Sequence, residues 1–487
     1  MRGDVLVREA AASPAVPLCG DVPPVSWPAP KHAPTERANG PSLARDAASA
    51  ALAPHRHDEA AVRKVQTCLL DVIGAALESR GLPWGCQAVG IASEVKGGVP
   101  IIGTARRTTV GDAAFANAVL AHGLVREDMH AASISHLGVV VIPVLLALSR
   151  SHRVSGMRFI NAAVAGYEVG ARIGAALFTT ELARLFRPTG ITGPIGGAAA
   201  AAVLLGLDVN RAASAIGMAA NATGGLNEWP AVGGTEMFFH PGFAARNAVT
   251  AARLAELGAE ASESALDGEA GLFAAFRRDG MRPVIRFFDG APEIMAVYNK
   301  PVPACNFAQT ACQLALRLSR EHGVRAGEIQ GIQIRVPRAA ARYPGCDSTG
   351  PFSKLLQAKM SIPFGVAATL LRGTIEEANY HLPVGAEMER LLDLVTLEED
   401  AALTAAFPVQ QGAEIALELA DRVVCGKLDD VVAATPAEVR ERFERAATDS
   451  LGRERAEAIL RFVDAMPDAV DMAPLADLLA LQEDGAP

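Results

Sequence analysis

The side chains best suited to chemistry crowd into one stretch, 111–143, which reads GDAAFANAVLAHGLVREDMHAASISHLGVVVIP. It carries His122, Asp128, His130 and His136. An imidazole titrates near neutral pH and so can give or take a proton under ordinary conditions. Asp128 and His130 could act together as a second acid–base pair, the alternative being a structural role in the loop. His122, His130, His136 and Asp128 are also ligand types for zinc, but their spacing is irregular and HExxH is missing, so no metal is expected. Elsewhere arginine far outnumbers lysine, which singles out Lys300, set beside Pro301 in KPVPAC. Cys305 and Cys312 follow it and read as small buried hydrophobes. Val-Gly-Gly-Thr at 232–235 lacks the Gly-Lys-Ser/Thr of a phosphate loop, and no GxSxG elbow is present.

These groups need a scaffold. At 487 residues the chain exceeds one simple core, so two domains are expected. Half of it is hydrophobic, mostly Ala, Val and Leu, and only 5% is aromatic, a balance that favours helix. The net charge of −9 and the lack of a basic patch argue against nucleic acid as a partner. Seven scattered cysteines without a CxxC pair indicate a reduced, cytoplasmic protein. Asp4, Arg8 and Glu9 interrupt the N-terminus, which therefore lacks a signal-peptide core. The uncharged run 190–207 reaches membrane-spanning length, yet it is built of Gly and Ala with Pro194 inside. It is expected to be a loop feeding a buried helix, so no membrane partner is expected.

Along the chain, 1–45 is rich in Pro, Ala and charge without periodicity, which suggests a disordered or draped extension that Trp27 could pin. Residues 46–285 read as helical. Val62, Val65, Leu69, Ile73 and Leu77 share one face, and a helix over 157–176 carries Gly166, Gly170 and Gly174, a row that marks close helix contact. Residues 286–430 read as α+β, with strands at 329–336 and 413–419 and helices near 308–321 and 360–372. Residues 431–487 return to helix, opened by Thr435 with Glu438 at the capping-box position, and could fold back on the first domain.

With these elements placed, the chain beyond about residue 50 resembles the MmgE/PrpD family. Members carry a stretch like AHALDFDDTH, a short loop, HPG and a VIP run; here the slots read AHGLVREDMH, AASIS, HLG and VVVIP. The likeness continues at LLDVIG (69–74), GYEVGARIG (166–174), FRPTG (186–190), His240-Pro241-Gly242, KPVPAC (300–305) and AKMS (358–361). The family includes 2-methylcitrate dehydratase, cis-aconitate decarboxylase and iminodisuccinate epimerase. The resemblance implies a mainly α fold, with a large all-helical domain and a smaller α+β lid, as a homodimer with the site between domains. It implies a lyase or isomerase that uses no cofactor and moves protons beside a carboxylate of a small carboxylic acid, in dehydration, decarboxylation or epimerisation.

Carried over residue by residue, His136 matches the histidine of the HPG loop and becomes the expected general acid or base. Lys300 matches the lysine of K-x-x-P-x-C and would neutralise a substrate carboxylate from the lid. The departures are as informative. The family's first aspartate falls on Val125, the next two on Glu127 and Asp128, the threonine on Met129, a histidine on Arg187, a lysine on Met237 and a tyrosine on Phe364. Each of the changes to Val, Met or Phe removes a donor or charge, so a tricarboxylate would leave buried charges unpaired. Arg187 is the gain, because a guanidinium holds a carboxylate bidentately. Thr189 precedes a helix start whose N–H groups favour anions. The expected substrate-binding set is Arg187, Thr189, Val125, Met129, Met237, His240 and Phe364. His240 is read as ordering a turn at Pro241-Gly242, and Glu228 as a surface carboxylate. The expected substrate is less charged and more apolar than citrate. Two alternatives stand beside it: an isomerase or cyclase working on a larger apolar metabolite, and a non-catalytic descendant that only binds a ligand. The second also predicts loss of His136 and Lys300, and both are present.

Overall fold

The computed structural model describes residues 42–277 and 283–481. Residues 1–41 of the expected extension, with Trp27, lie outside them. The helical region begins earlier than residue 46: the Ser42 side chain accepts from Arg45 N and caps a helix, Leu43–Leu52, that buries Leu43, Ala44, Ala47, Ala48 and Ala51. The next helix, Glu59–Ser79, is capped by Asp58 and buries Val65, Leu69, Ile73 and Leu77.

The core is a mainly α assembly, and one close crossing within it is made by glycines. Helices Gly156–Leu177 and Pro188–Leu205 meet where Gly166 and Gly170 face Gly196. The buried helix expected in 190–207 is present, but the loop expected to feed it is overturned, because the helix already starts at Pro188 and runs through Pro194 to Leu205. Pro188 occupies the first helical position, where its fixed φ suits the turn and its missing N–H costs nothing. Packing on several sides offsets the donor that Pro194 removes. Among the described residues this is the one helix long and apolar enough to cross a membrane, and 89% of it is buried inside the protein. The His240-Pro241-Gly242 segment is not a turn either. It lies within helix Glu236–Glu256, where Gly242 lets the helix close on Phe115 and Val119.

The smaller part is α+β. Its sheet has the order Val395–Glu399, Ile329–Val336, Ala413–Leu419, Val423–Leu428; the first pair is parallel and the others antiparallel. The two central strands alternate buried and exposed side chains. The outer two were not read from the sequence, because VTLEE and VVCGKL bury less and their apolar alternation is weak. The expected helix at 360–372 is split at Ser361, whose hydroxyl caps Ile362–Arg372 by accepting from Phe364 N.

A two-stranded ladder joins the parts that carry the chemistry. Asp128–His130 pairs antiparallel with Val297–Asn299, setting Asp128 against Asn299 and Met129 against Tyr298. Behind it, Asp71 on Glu59–Ser79 accepts from Asn299 at 2.6 Å and pairs with Arg442. Arg442 sits on helix Pro436–Leu451, opened by the Thr435–Glu438 capping box, and also donates to the Lys300 carbonyl at 2.9 Å. A buried carboxylate and guanidinium therefore anchor the Asn299 end of the ladder.

Candidate active site

His122 is the last residue of helix Val110–His122. After it the chain turns through Val125, a β-branched residue at φ 58°, and enters the ladder. Left-handed backbone is rare for such residues and persists only where the surroundings hold it. Two lysines of the α+β part do so. Lys359 Nζ donates to the Leu124 carbonyl at 2.9 Å, and Lys300 Nζ donates to the Val125 carbonyl. Burial lowers the Lys300 pKa to about 8, against the pull of Glu127 and Cys305 and helped by Arg187 and Lys359. Lys300 is therefore at the site, but its ammonium is spent on backbone and does not line the cavity.

The turn brings Glu127 between two imidazoles. Its Oε1 lies 2.6 Å from His122 Nδ1 and 3.0 Å from His136 Nδ1, all three side chains being buried. Burial alone would raise the Glu127 carboxyl; His122, His136 and Lys300 instead hold it well below the usual carboxylate range. Burial pushes His136 well below its ordinary value, with Lys300, Arg187 and His122 adding to this and Glu127 opposing it. His122 is lowered in the same way. The result is a fixed carboxylate between two neutral rings. His136 Nδ1 also lies 2.9 Å from the Asp128 carbonyl, and its backbone N donates to Thr189 Oγ1 at 3.0 Å. With Nδ1 held, Nε2 is the basic atom, and it has no protein partner among the described residues.

Arg187 precedes Pro188–Leu205 and is 6% exposed. Its NH2 donates to His122 Nε2 at 3.1 Å, which fits a His122 tautomer that donates from Nδ1 to Glu127. The guanidinium lies over the Trp229 ring at 5.5 Å, and Nε has no partner. Among the described residues no carboxylate lies within ion-pair distance of it. A buried charge without a counterion is costly unless the site is made to receive one.

Arg187 and His136 line the same cavity, with Val125, Met129 and Met237. Trp229, Tyr343, Cys305, Phe307 and Met360 complete most of the wall. Its volume is about 30 Å³, on the order of a single water. Three of its walls are methionines, whose unbranched side chains change shape readily.

Other expected site residues take different places. Asp128 and His130 do not form a pair. The Asp128 carboxylate accepts from Gly138 N at 3.1 Å and from the Tyr167 hydroxyl, while His130 bonds Ser133 Oγ at 2.8 Å and Glu293 at 2.9 Å. Both residues lie on the ladder strand, but each is held by its own partners, Asp128 by Gly138 and Tyr167 and His130 by Ser133 and Glu293, so no bond joins them. Among the described residues His122, His130, His136 and Asp128 do not come together as a group that could hold a metal ion. Thr189 stands behind His136 and outside the lining. His240 is half-buried beside Arg187; burial, then Arg187 and His122, lower its pKa to about 4. Phe364 packs in the α+β part between Phe352 at 5.0 Å and Tyr380 at 5.8 Å, because the Ser361 cap turns it inward. Glu228 is exposed. Cys305 pairs with Cys346, at 3.7 Å between sulfurs, and not with Cys312. Sequence reading missed the role of Glu127 and the aromatic walls Trp229 and Tyr343. Glu127 had one signal, its place in the motif's acidic pair; the aromatics come from distant segments and had none.

Residues 43–282 match the family model of the MmgE/PrpD N-terminal domain, and 302–468 match that of the MmgE/PrpD C-terminal domain. Among curated relatives, a cis-aconitate decarboxylase-like protein, oryM, of Aspergillus oryzae is 32% identical over 229 residues, 45% of this chain and 47% of that protein. The alignment thus spans about half the length of that relative. The human cis-aconitate decarboxylase is 27% identical over 388 residues, 75% of this chain and 79% of its own. The cis-aconitate decarboxylase of Aspergillus terreus is 29% identical over 220 residues, 44% and 45% of the two chains.

Proposed function

The chain belongs to the MmgE/PrpD family, a family with lyase-type members, and from that premise we propose that it moves protons beside a carboxylate or carbonyl of an organic acid less charged than citrate. The observation that carries this reading is the pairing, in one cavity, of a neutral His136 whose Nε2 is free with a buried Arg187 that lacks a counterion. Arg187 takes the substrate carboxylate. His136 Nε2 takes a proton from the adjacent carbon, and the electron pair moves onto the carboxylate or carbonyl oxygen, where Arg187 stabilises the charge. Glu127 stabilises the imidazolium that forms. His136 then returns the proton to a leaving hydroxyl, or to the same carbon once the enolate has turned its other face to the ring; where the step begins with loss of carbon dioxide, His136 first takes a proton from solvent and passes it to the carbanion. These outcomes are dehydration, epimerisation and decarboxylation.

The lining supports fewer charges than a tricarboxylate. Where the family pattern has polar groups, Val125, Met129 and Met237 face the cavity, and both Lys300 and Lys359 donate to main-chain carbonyls. No cofactor is required by these steps. A homodimer is part of the proposal, resting on the family resemblance, and sedimentation velocity checks it.

The test is solvent deuterium incorporation, followed by NMR, with a panel of mono- and dicarboxylic, β-keto and imino acids. The expected result is exchange or turnover with an acid bearing one carboxylate, lost in His136→Ala. Exchange that survives His136→Ala, or silence across the panel in folded protein, would overturn the reading; silence with retained binding would favour a ligand-binding protein.

A further inference from the structure

We propose that the substrate is an amphiphilic acid whose apolar chain leaves the Arg187–His136 cavity past Ile134 and lies in an adjoining cleft. This rests on the reading above and deepens it by naming the substrate class. The cavity measures about 30 Å³, too little for any organic acid beyond its head group. Ile134 forms one of its walls and also a wall of a second space of about 410 Å³. That volume falls within the roughly 300–1,000 Å³ of small-molecule sites. Its wall includes Ala132, Phe178, Ala339, Phe407 and Pro408, all apolar.

Ile134 is the residue common to the walls of the two spaces. Ile134 sits at φ 53°, a conformation that β-branched residues rarely adopt. A tight loop holds it there: Ile134 N donates to the Ala131 carbonyl at 3.1 Å, and His130 and Ser135 exchange backbone hydrogen bonds at 2.9 and 3.2 Å. The next residue is His136, so the same loop presents the base to one side and the apolar partition to the other. Charge at the cleft points to a chain without a second carboxylate. Glu181 would repel one, and Arg338 is already paired with Glu399 at 2.6 Å.

The test is a titration of the full chain, by calorimetry and NMR, with butanoate, hexanoate, octanoate and decanoate as probes. Affinity is expected to rise roughly fourfold per added methylene until the cleft is filled. Ala132→Trp, at an exposed residue of the cleft wall, is expected to remove the chain-length gain while butanoate still binds. Ile134→Gly, which suits the left-handed backbone, is expected to keep the gain. Arg187→Met is expected to weaken binding of every probe by roughly 10- to 100-fold. A flat series in the unmodified protein, with butanoate binding that needs Arg187, would overturn the cleft and leave the Arg187 site standing. A gain that persists in Ala132→Trp would also overturn it. Failure of all probes to bind would overturn the Arg187 reading itself.

Discussion

Glu127 Oε1 lies 3.0 Å from His136 Nδ1, with both side chains removed from solvent. That contact fixes the tautomer and opposes the forces that lower the His136 pKa. Glu127→Gln keeps the shape and removes the charge. The imidazolium formed during turnover then loses its counter-charge, and kcat is expected to fall by about 10²–10³-fold with KM little changed. The acid limb of the kcat/KM profile, already below the ordinary histidine value of 6.5, should move lower still. A loss of stability without movement of that limb would make Glu127 a structural residue only.

Arg187→Met separates binding from stability. The guanidinium has no carboxylate within reach among the described residues, so an apolar side chain of similar length should raise stability by about 1–3 kcal/mol. The same change removes charge-assisted hydrogen bonds to a substrate carboxylate, weakening its binding by roughly 10- to 100-fold. Thermal melts and carboxylate titrations read the two effects separately. A variant that melts lower and binds carboxylates unchanged would assign Arg187 to the scaffold.

Asp128 gives a pH signature. Burial, with help from Asp71 and against hydrogen bonds from Tyr167 and Gly138, raises its pKa from 3.8 to about 6. The folded state therefore holds this proton more tightly than the unfolded chain. Its contribution to stability is fully present below pH 3.8 and is lost as pH rises through about 6, a change of up to about 3 kcal/mol. His122 and His136, both lowered, act in the opposite direction, losing stability as pH falls below 6.5. The readout is accordingly the difference between Asp128→Asn and the parent in urea midpoints from pH 4 to 7. The variant should gain relative to the parent as pH rises. A constant difference would mean that Asp128 is ionised throughout.

How much of this was legible depends on distance along the chain. His136, Arg187, Val125, Met129 and Met237 could be placed because a motif of fixed order carries each of them, and all five line the cavity. The His122–Glu127 contact could not, since it depends on a helix ending at His122 and a left-handed Val125, neither of which hydrophobic periodicity encodes. Lys300 too is placed by its motif slot, as a charge for the substrate; its partner in the structure is the carbonyl of that strained turn. Phe364 was assigned by its slot in a motif, but the Ser361 hydroxyl starts a new helix there and rotates it into the α+β core. Only the first part of helix Pro188–Leu205 reads as loop in the sequence, because Pro194 and the glycines argue locally against helix, whereas close packing decides the matter.

That packing yields the last prediction, in which two effects of opposite sign compete. Replacing a helical glycine by alanine favours the helix by about 1 kcal/mol. At Gly196 the added Cβ would lie 2.7 Å from the Gly166 carbonyl oxygen, 3.2 Å from Gly170 Cα and 3.4 Å from Gly170 N. All three are backbone atoms of the facing helix and cannot rotate away. Overpacking of this kind costs about 1–3 kcal/mol, and more where main chain must move, so Gly196→Ala should be destabilising overall. Gly90, at the end of helix Pro83–Gly90, has no atom within 4 Å of an added Cβ. Only the helix term applies there, and Gly90→Ala should leave stability unchanged or raise it by up to about 1 kcal/mol. Urea denaturation of the two variants beside the parent checks both signs. Equal effects would mean that the helices Gly156–Leu177 and Pro188–Leu205 separate enough to admit a methyl group. The glycine row would then be a matter of propensity and not of contact.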